Sequence, residues 1–107
     1  MQDLKEIYSL LEKEKNVKEL HYSRIDKYGF SRNIVFCVGE YQYRINWWAN
    51  TISLFVAGAE VTDIKRIYID TCFPSCKKCI KFELEDYKAI RIPLEFYDNQ
   101  KGLWGTE

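Results

Sequence analysis

The chain has 107 residues, of which 47% are hydrophobic and 30% charged, a balance typical of one globular domain rather than a disordered segment. Sixteen basic residues balance sixteen acidic ones, so the formal net charge is zero. This balance argues against a protein that binds mainly through phosphate contacts, which usually needs a basic excess, and against an acidic mimic of nucleic acid.

Residues 1–17 predict an amphipathic helix. Leu4, Ile7 and Leu11 recur at helical spacing, and Asp3 suits the N-cap. We expect this helix to cover one face of a sheet. Its charge pattern is unlike that of a signal peptide, and no apolar run in the chain approaches the roughly 20 residues of a membrane span. The sequence therefore predicts a cytoplasmic protein without a membrane partner.

The chain before Ile34 predicts a first strand, Leu20–Ile25. It is followed by Lys27-Tyr28-Gly29, which suits a three-residue hairpin loop with glycine in the left-handed position. Closing the chain there places Tyr22 opposite Ile34. We expect both side chains to point toward the core.

The stretch from Ile34 to Val56 predicts three antiparallel strands joined by two tight turns. Gly39-Glu40 suits a two-residue loop, because glycine readily adopts the positive φ required at its first position, and Ala49-Asn50 suits a second one. Each turn fixes a register, and both registers place the same side chains on one buried face. These inward side chains are Ile34, Phe36, Val38, Tyr41, Tyr43, Ile45, Trp47, Ile52, Leu54 and Val56.

Three more strands follow in the remainder of the sheet region, which ends at residue 97. Ile64–Asp70 predicts the first of them, and the last two form a hairpin with a loop at Asp86-Tyr87-Lys88. This loop places Phe82 opposite Ile92 on the inward face. Pro93 has no N–H for a ladder, so the final strand is predicted at an edge of the sheet.

These elements predict a single α+β domain over residues 1–107. An N-terminal amphipathic helix packs on a curled antiparallel meander of six to seven strands, residues 19–97, and a polar tail follows at residues 98–107. Seven strands at a spacing of ~4.8 Å span about 29 Å, whereas one helix is only ~10 Å across. The sheet must therefore curl around the helix or bury its remainder against a partner. We expect curling, with a monomer or a homodimer both open.

The four cysteines are candidates for metal or redox chemistry. Cys72, Cys76 and Cys79 have the spacing C-x3-C-x2-C, and Cys37 lies far from them in sequence. In a reducing cytoplasm we expect free thiols, with a small Cys-ligated zinc site or an oxidisable pair as alternatives. The predicted sheet puts Cys37 a strand length of roughly 17–20 Å from the other three. A fourth zinc ligand is therefore missing, and we expect no bound metal and no cofactor.

The same spacing resembles the cluster-binding motif of radical SAM enzymes, in which three thiolates hold a [4Fe–4S] cluster. The resemblance covers eight residues. Lys78 stands before the last cysteine, where that family usually has an aromatic residue. The βα barrel of that family is also far longer than this chain. An iron–sulfur enzyme is implied only by this spacing.

The outward face of the meander carries the candidate binding residues. The derived register places Val35, Arg44 and Phe55 in one row and Trp48 near them, with Tyr68 as a possible neighbour. Tryptophan, tyrosine and arginine dominate the energetics of protein interfaces. The alternative is that another part of the chain covers these apolar side chains.

The sequence contains no phosphate-binding glycine loop, no serine elbow and no histidine pair for a metal. We therefore expect a small non-enzymatic binding protein whose partner is another protein. An inhibitor of the immunity or anti-defence type is suggested only by analogy, from the small size and the lack of catalytic residues. Two alternatives stay open: a module that binds single-stranded nucleic acid through exposed aromatic and arginine side chains, and the zinc protein described above.

Overall fold

The computed structural model describes residues 3–24, 32–72 and 74–96. Within these ranges the chain forms one helix and eight strands. In chain order they are α1 (Leu4–Glu12), β1 (Lys18–Arg24), β2 (Arg32–Val38), β3 (Tyr41–Trp48), β4 (Thr51–Val56), β5 (Ala59–Val61), β6 (Arg66–Cys72), β7 (Cys76–Glu83) and β8 (Ala89–Glu95). The predicted α+β fold is confirmed, with slightly more strands than expected. The predicted loop at residues 27–29 and the tail at 98–107 lie outside the described residues.

The helix begins at the predicted cap. The Asp3 carboxylate accepts a hydrogen bond from the backbone N–H of Lys5 at 3.0 Å, which satisfies one of the free amides of the first turn. Leu4, Ile7 and Leu11 are all buried, so the helix directs one apolar stripe into the core. Among the described residues there is no helix long and apolar enough to cross a membrane.

The first sheet contains β1 to β5 in sequence order, and every neighbouring pair is antiparallel. Both two-residue turns lie where the sequence predicts them. Gly39 has a φ of 62°, and Ala49 and Asn50 have φ values of 51° and 61°. The resulting register aligns Ile34 with Ile45 and Ile45 with Leu54, as derived from the turns. The register predicted for β2, β3 and β4 is therefore confirmed.

Two details of this sheet differ from the prediction. A bulge interrupts β1 between Lys18 and His21, where Glu19 has a φ of 53°, although Tyr22 still lies opposite Ile34 as predicted. Tyr41 was predicted on the buried face but is 60% exposed. It is the first residue after the turn, so it extends beyond the edge of the core.

The second sheet contains β6, β7 and β8 in sequence order. Its last hairpin differs from the prediction, because Phe82 lies opposite Ile90 rather than Ile92. The backbone N–H of Leu84 donates to the carbonyl of Lys88, so the loop starts one residue earlier than expected. The register moves by two residues, which is an even number, and the inward face is unchanged. Phe82 and Ile92 are both buried, and β8 is an edge strand as Pro93 requires.

The chain passes from one sheet to the other between β5 and β6. The backbone N–H of Ile64 donates to the carbonyl of Ile52 in β4 at 3.0 Å, and that of Lys65 donates to the carbonyl of Glu83 in β7 at 2.8 Å. Consecutive residues thus pair with different sheets. Asp63, with a φ of 58°, lies just before this point. This short connection between β5 and β6 therefore forms the corner between the two sheets.

The predicted curling is therefore achieved by dividing the strands into two connected sheets around α1. One buried cluster joins the helix, both sheets and the corner. Its members are Leu4, Ile7, Leu11, Ile34, Phe36, Ile45, Ile52, Leu54, Ile64, Ile67, Ile80, Phe82, Ile92 and Leu94. Tyr43 and Trp47 are partly buried against it, as the inward register predicts.

Charged side chains after the helix hold it to the second sheet. Lys78 of β7 lies 3.0 Å from the Glu14 carboxylate and 3.5 Å from the Glu95 carboxylate. The Asn16 side-chain amide donates to the carbonyl of Leu94 in β8. The pKa of Lys78 is raised, and its hydrogen bond with the Glu14 carboxylate is the largest cause. These contacts connect the segment between α1 and β1 to the second sheet.

We expect Phe82→Ala to lower the free energy of unfolding by about 3–5 kcal/mol, because it removes a fully buried ring and leaves a cavity. Phe96→Ala is the matched control, since that ring is half exposed after β8, and it should change stability by less than about 1 kcal/mol. Urea denaturation measures both values. Equal stabilities for the two variants would contradict the burial of Phe82.

Candidate functional site

A row of side chains crosses the outward face of the first sheet. It consists of residues that are paired across neighbouring strands, in the order His21, Val35, Arg44, Phe55 and Glu60. The guanidinium carbon of Arg44 lies 4.5 Å from the centre of the Phe55 ring, within the range of a cation–π contact. Val35, Arg44 and Phe55 are thus adjacent, as the sequence predicts, and their role in binding stays a prediction.

The next row on the same face consists of amides and hydroxyls. It joins Ser23, Asn33, Asn46 and Ser53 across β1 to β4. The Ser23 hydroxyl donates to the Asn33 side-chain carbonyl at 2.7 Å, and Asn33 and Ser53 are only 8% exposed. Polar side chains on an outward face are usually solvated, so this row is unusually enclosed. The predicted register implies that these four residues form a row, but the sequence analysis does not identify the row as a feature of the site.

Trp48 lies on the same face, in the row next to this polar row. It pairs with Thr51 at the β3–β4 turn, and 54% of its surface is exposed. Trp47 points the other way and is partly buried against the core. Alternation along a strand sends neighbouring side chains to opposite faces, which explains the difference. The predicted separation of the two tryptophans is confirmed.

A cleft of about 360 Å³ lies beside Trp48. It is lined by Asn46, Trp48, Ala49, Thr51, Ser53, Glu60 and Thr62. The side-chain carbonyl oxygen of Asn46 is buried and has no hydrogen-bond partner among the described residues. A buried acceptor without a donor costs about 1–3 kcal/mol. The cleft therefore combines one exposed aromatic ring with several hydrogen-bonding groups.

Tyr68 belongs to a different surface. It lies on β6 in the second sheet, opposite Lys81, and shares no ladder row with Trp48 or Arg44. The guanidinium carbon of Arg66 lies 4.1 Å from the Tyr68 ring centre, and the Lys81 ammonium lies 5.6 Å from it. A hydrogen bond with Tyr68 raises the pKa of Lys81. The structure therefore does not add Tyr68 to the other predicted site residues.

A second cleft, of about 580 Å³, lies along the β7–β8 hairpin. Its lining includes charges of both signs, among them Lys65, Lys81, Glu85 and Arg91. Lys65 and Glu85 form an ion pair at 3.1 Å with both side chains exposed. Exposed pairs of this kind contribute little. This cleft therefore belongs to a solvated surface of mixed charge on the last two strands.

The prediction of free thiols is wrong at Cys76, where the structure agrees with the alternative of an oxidisable pair. Cys76 is buried and disulfide-bonded, whereas Cys37 and Cys79 are free. The register places the Cα atom of Cys72 opposite that of Cys76. A sulfur in a disulfide is not the thiolate that zinc or an iron–sulfur cluster requires. The described residues also contain no group of three or more histidine, cysteine or carboxylate side chains that could hold a metal ion.

Comparison of the chain with protein-family models, with curated proteins and with solved structures found no match. The fold and the surface described above are therefore the basis for inferring a function.

We expect Cys37 to react slowly with thiol reagents. Its S–H donates to the Glu19 carboxylate at 3.1 Å, and this hydrogen bond, with burial and the nearby charge, raises the pKa of Cys37. A raised pKa leaves less of the reactive thiolate near pH 8. Glu19→Gln should lower that pKa, so iodoacetamide should label Cys37 faster at this pH. Mass spectrometry over a pH series measures the rates, and Glu40→Gln is the control. An unchanged profile in Glu19→Gln would contradict the contact.

Proposed function

We propose that the protein is a small, non-enzymatic binding protein that docks the outward face of its first sheet on a protein partner. The observation that carries this proposal is the exposure of Trp48 on a rigid strand, next to an enclosed polar row. A large exposed ring at a fixed position is costly to solvate and effective at an interface, because little side-chain entropy is lost on binding. Arg44 and Phe55 extend the same surface.

The proposed mode of action is inhibition of the partner by occlusion. A domain of this size can cover a standard interface of about 800 Å² on each side with one sheet face. The immunity or anti-defence type of inhibitor is an analogy based on size and on the absence of a catalytic motif from the sequence. We propose no enzymatic activity and no cofactor.

The cytoplasm is the proposed compartment. Disulfide bonds are uncommon there, since cellular thiols keep most cysteines reduced. Cys76 is fully buried, which restricts the access of a reducing thiol to its sulfur. Alkylation of cells before lysis, followed by mass spectrometry, would measure how much Cys76 is oxidised in place.

We expect Trp48→Ala to weaken partner binding at least tenfold while changing the free energy of unfolding by less than about 1 kcal/mol, because half of the ring is already in water. Trp47→Ala should instead cost about 2–4 kcal/mol of stability, since it removes packing against the core. Affinity capture from an extract of the source organism supplies the partner, and calorimetry then gives the affinities.

Tyr87→Ala is the matched control for this experiment. Tyr87 is a fully exposed aromatic residue in the β7–β8 loop, and it does not line the cleft beside Trp48. Its substitution should leave both binding and stability unchanged. Normal partner binding by Trp48→Ala, or equal loss of binding by Tyr87→Ala, would show that the outward face is not the docking surface.

We expect no salt-dependent binding of single-stranded oligonucleotides at micromolar protein concentration. The described residues that line the cleft beside Trp48 include no lysine or arginine, and Arg44 is already stacked on Phe55. Nucleic-acid affinity normally rests on several free cations and falls steeply with salt. Fluorescence anisotropy with labelled homopolymers at two salt concentrations provides the measurement. Tight binding that weakens with salt and disappears in Trp48→Ala would favour the nucleic-acid alternative.

A further inference from the structure

The aromatic rings of this protein are repeatedly covered by its own arginines. Guanidinium carbons lie 5.8 Å from the Trp47 ring centre, 4.5 Å from that of Phe55 and 4.1 Å from that of Tyr68. Trp48 is 54% exposed, and no cation of the described residues lies over its ring. Tryptophan is the strongest aromatic partner for a cation. The exposed ring is therefore of the kind that arginine contacts elsewhere in the molecule.

A negative charge borders the same cleft. Glu60 of β5 is exposed, lines the cleft with Trp48, and forms no ion pair within the described residues. Among the described residues that line the cleft there is no lysine or arginine to neutralise it. A phosphate or carboxylate ligand would meet only repulsion from this carboxylate. The charge of the cleft favours a cationic occupant.

The remaining lining groups favour a cation with several hydrogen-bond donors. The hydroxyls of Thr51, Ser53 and Thr62 are acceptors, and the Asn46 carbonyl oxygen has no donor among the described residues. The terminal torsion of asparagine is broad, so its amide can turn this oxygen toward the cleft. Guanidinium presents five N–H donors in a plane and stacks on aromatic rings, whereas an ammonium group offers three donors around a point charge.

We infer that this cleft accepts an arginine side chain of the protein partner, stacked on Trp48 and paired with Glu60. The inference rests on the proposed function and adds the chemistry of the partner residue at the docking surface. The arginine plane lies against the indole face, its N–H groups bind the carboxylate, and the Asn46 amide gains the donor that it lacks.

The test uses the full chain labelled with ¹⁵N and short peptides as probes. Acetyl-Gly-Arg-Gly-amide should shift the indole N–H signal of Trp48, which is assigned by its loss in Trp48→Ala. The citrulline peptide has the same shape without the charge and should bind at least tenfold more weakly. The lysine peptide should bind more weakly than the arginine peptide. Methyl glucoside, which probes a carbohydrate site, should cause no shift of that signal.

Variants identify the groups that hold the peptide. Glu60→Gln should weaken binding of the arginine peptide at least fivefold and remove most of its salt dependence, because the charge pair is lost. Trp48→Phe should keep part of the affinity, and Trp48→Ala should remove it; the signals of Asn46 report binding in the latter variant. Glu40→Gln, an exposed acid in the β2–β3 turn, and Tyr87→Ala should bind as the parent does.

Each contrary result has a separate meaning. Equal affinity for the arginine and citrulline peptides, a shift caused by methyl glucoside instead, or normal peptide binding by Glu60→Gln would overturn the arginine site. Loss of partner binding in Trp48→Ala without any peptide binding would overturn this inference and leave the proposed function standing. Normal partner binding in Trp48→Ala would overturn the proposed function itself.

Discussion

The register of β2, β3 and β4 is the constraint on which the rest of the structure depends. Two turns of two residues each fix this register, and a shift by one residue would exchange the buried face with the outward face. Ile34, Ile45 and Leu54 would then lie in water, and Arg44 would enter the core. Because both turns favour the same alignment, the core and the outward surface are specified together.

The second feature is the corner at Ile64 and Lys65. One helix is too narrow to cover a flat sheet of eight strands, and the chain meets this limit by pairing consecutive residues with different sheets. The helix can then contact both sheets and complete one core. The corner thus allows a small domain to bury its apolar side chains without a larger helical layer.

The outward face of the first sheet differs in kind from that of the second. The second sheet exposes pairs of opposite charge, such as Arg66 with Glu83 and Lys81 with Asp70, whose interactions are largely internal to the domain. The first sheet keeps an enclosed polar row and leaves Trp48 and Glu60 without charged partners among the described residues. Groups with unused binding capacity are concentrated beside one cleft. This asymmetry is the physical basis for placing recognition on the first sheet.

The sequence by itself determined the helix, the α+β class, the register of the meander and the opposite directions of Trp47 and Trp48. These features depend on local signals: periodicity, capping residues and turns with characteristic dihedral angles. The adjacency of Val35, Arg44 and Phe55 followed directly from that register. The loop of the last hairpin was misplaced by one residue because no glycine marks it, and Asp86 and Tyr87 adopt positive φ instead.

Only the tertiary structure decided where the sheet divides, that Tyr68 lies apart from Trp48, and that Glu60 shares a cleft with it. It also decided that Cys76 is disulfide-bonded and that the row from Ser23 to Ser53 is enclosed. Each of these depends on how strands distant in sequence bend and approach one another. Alternation along a strand gives the direction of a side chain but not the curvature of the sheet, and curvature determines which outward side chains become neighbours.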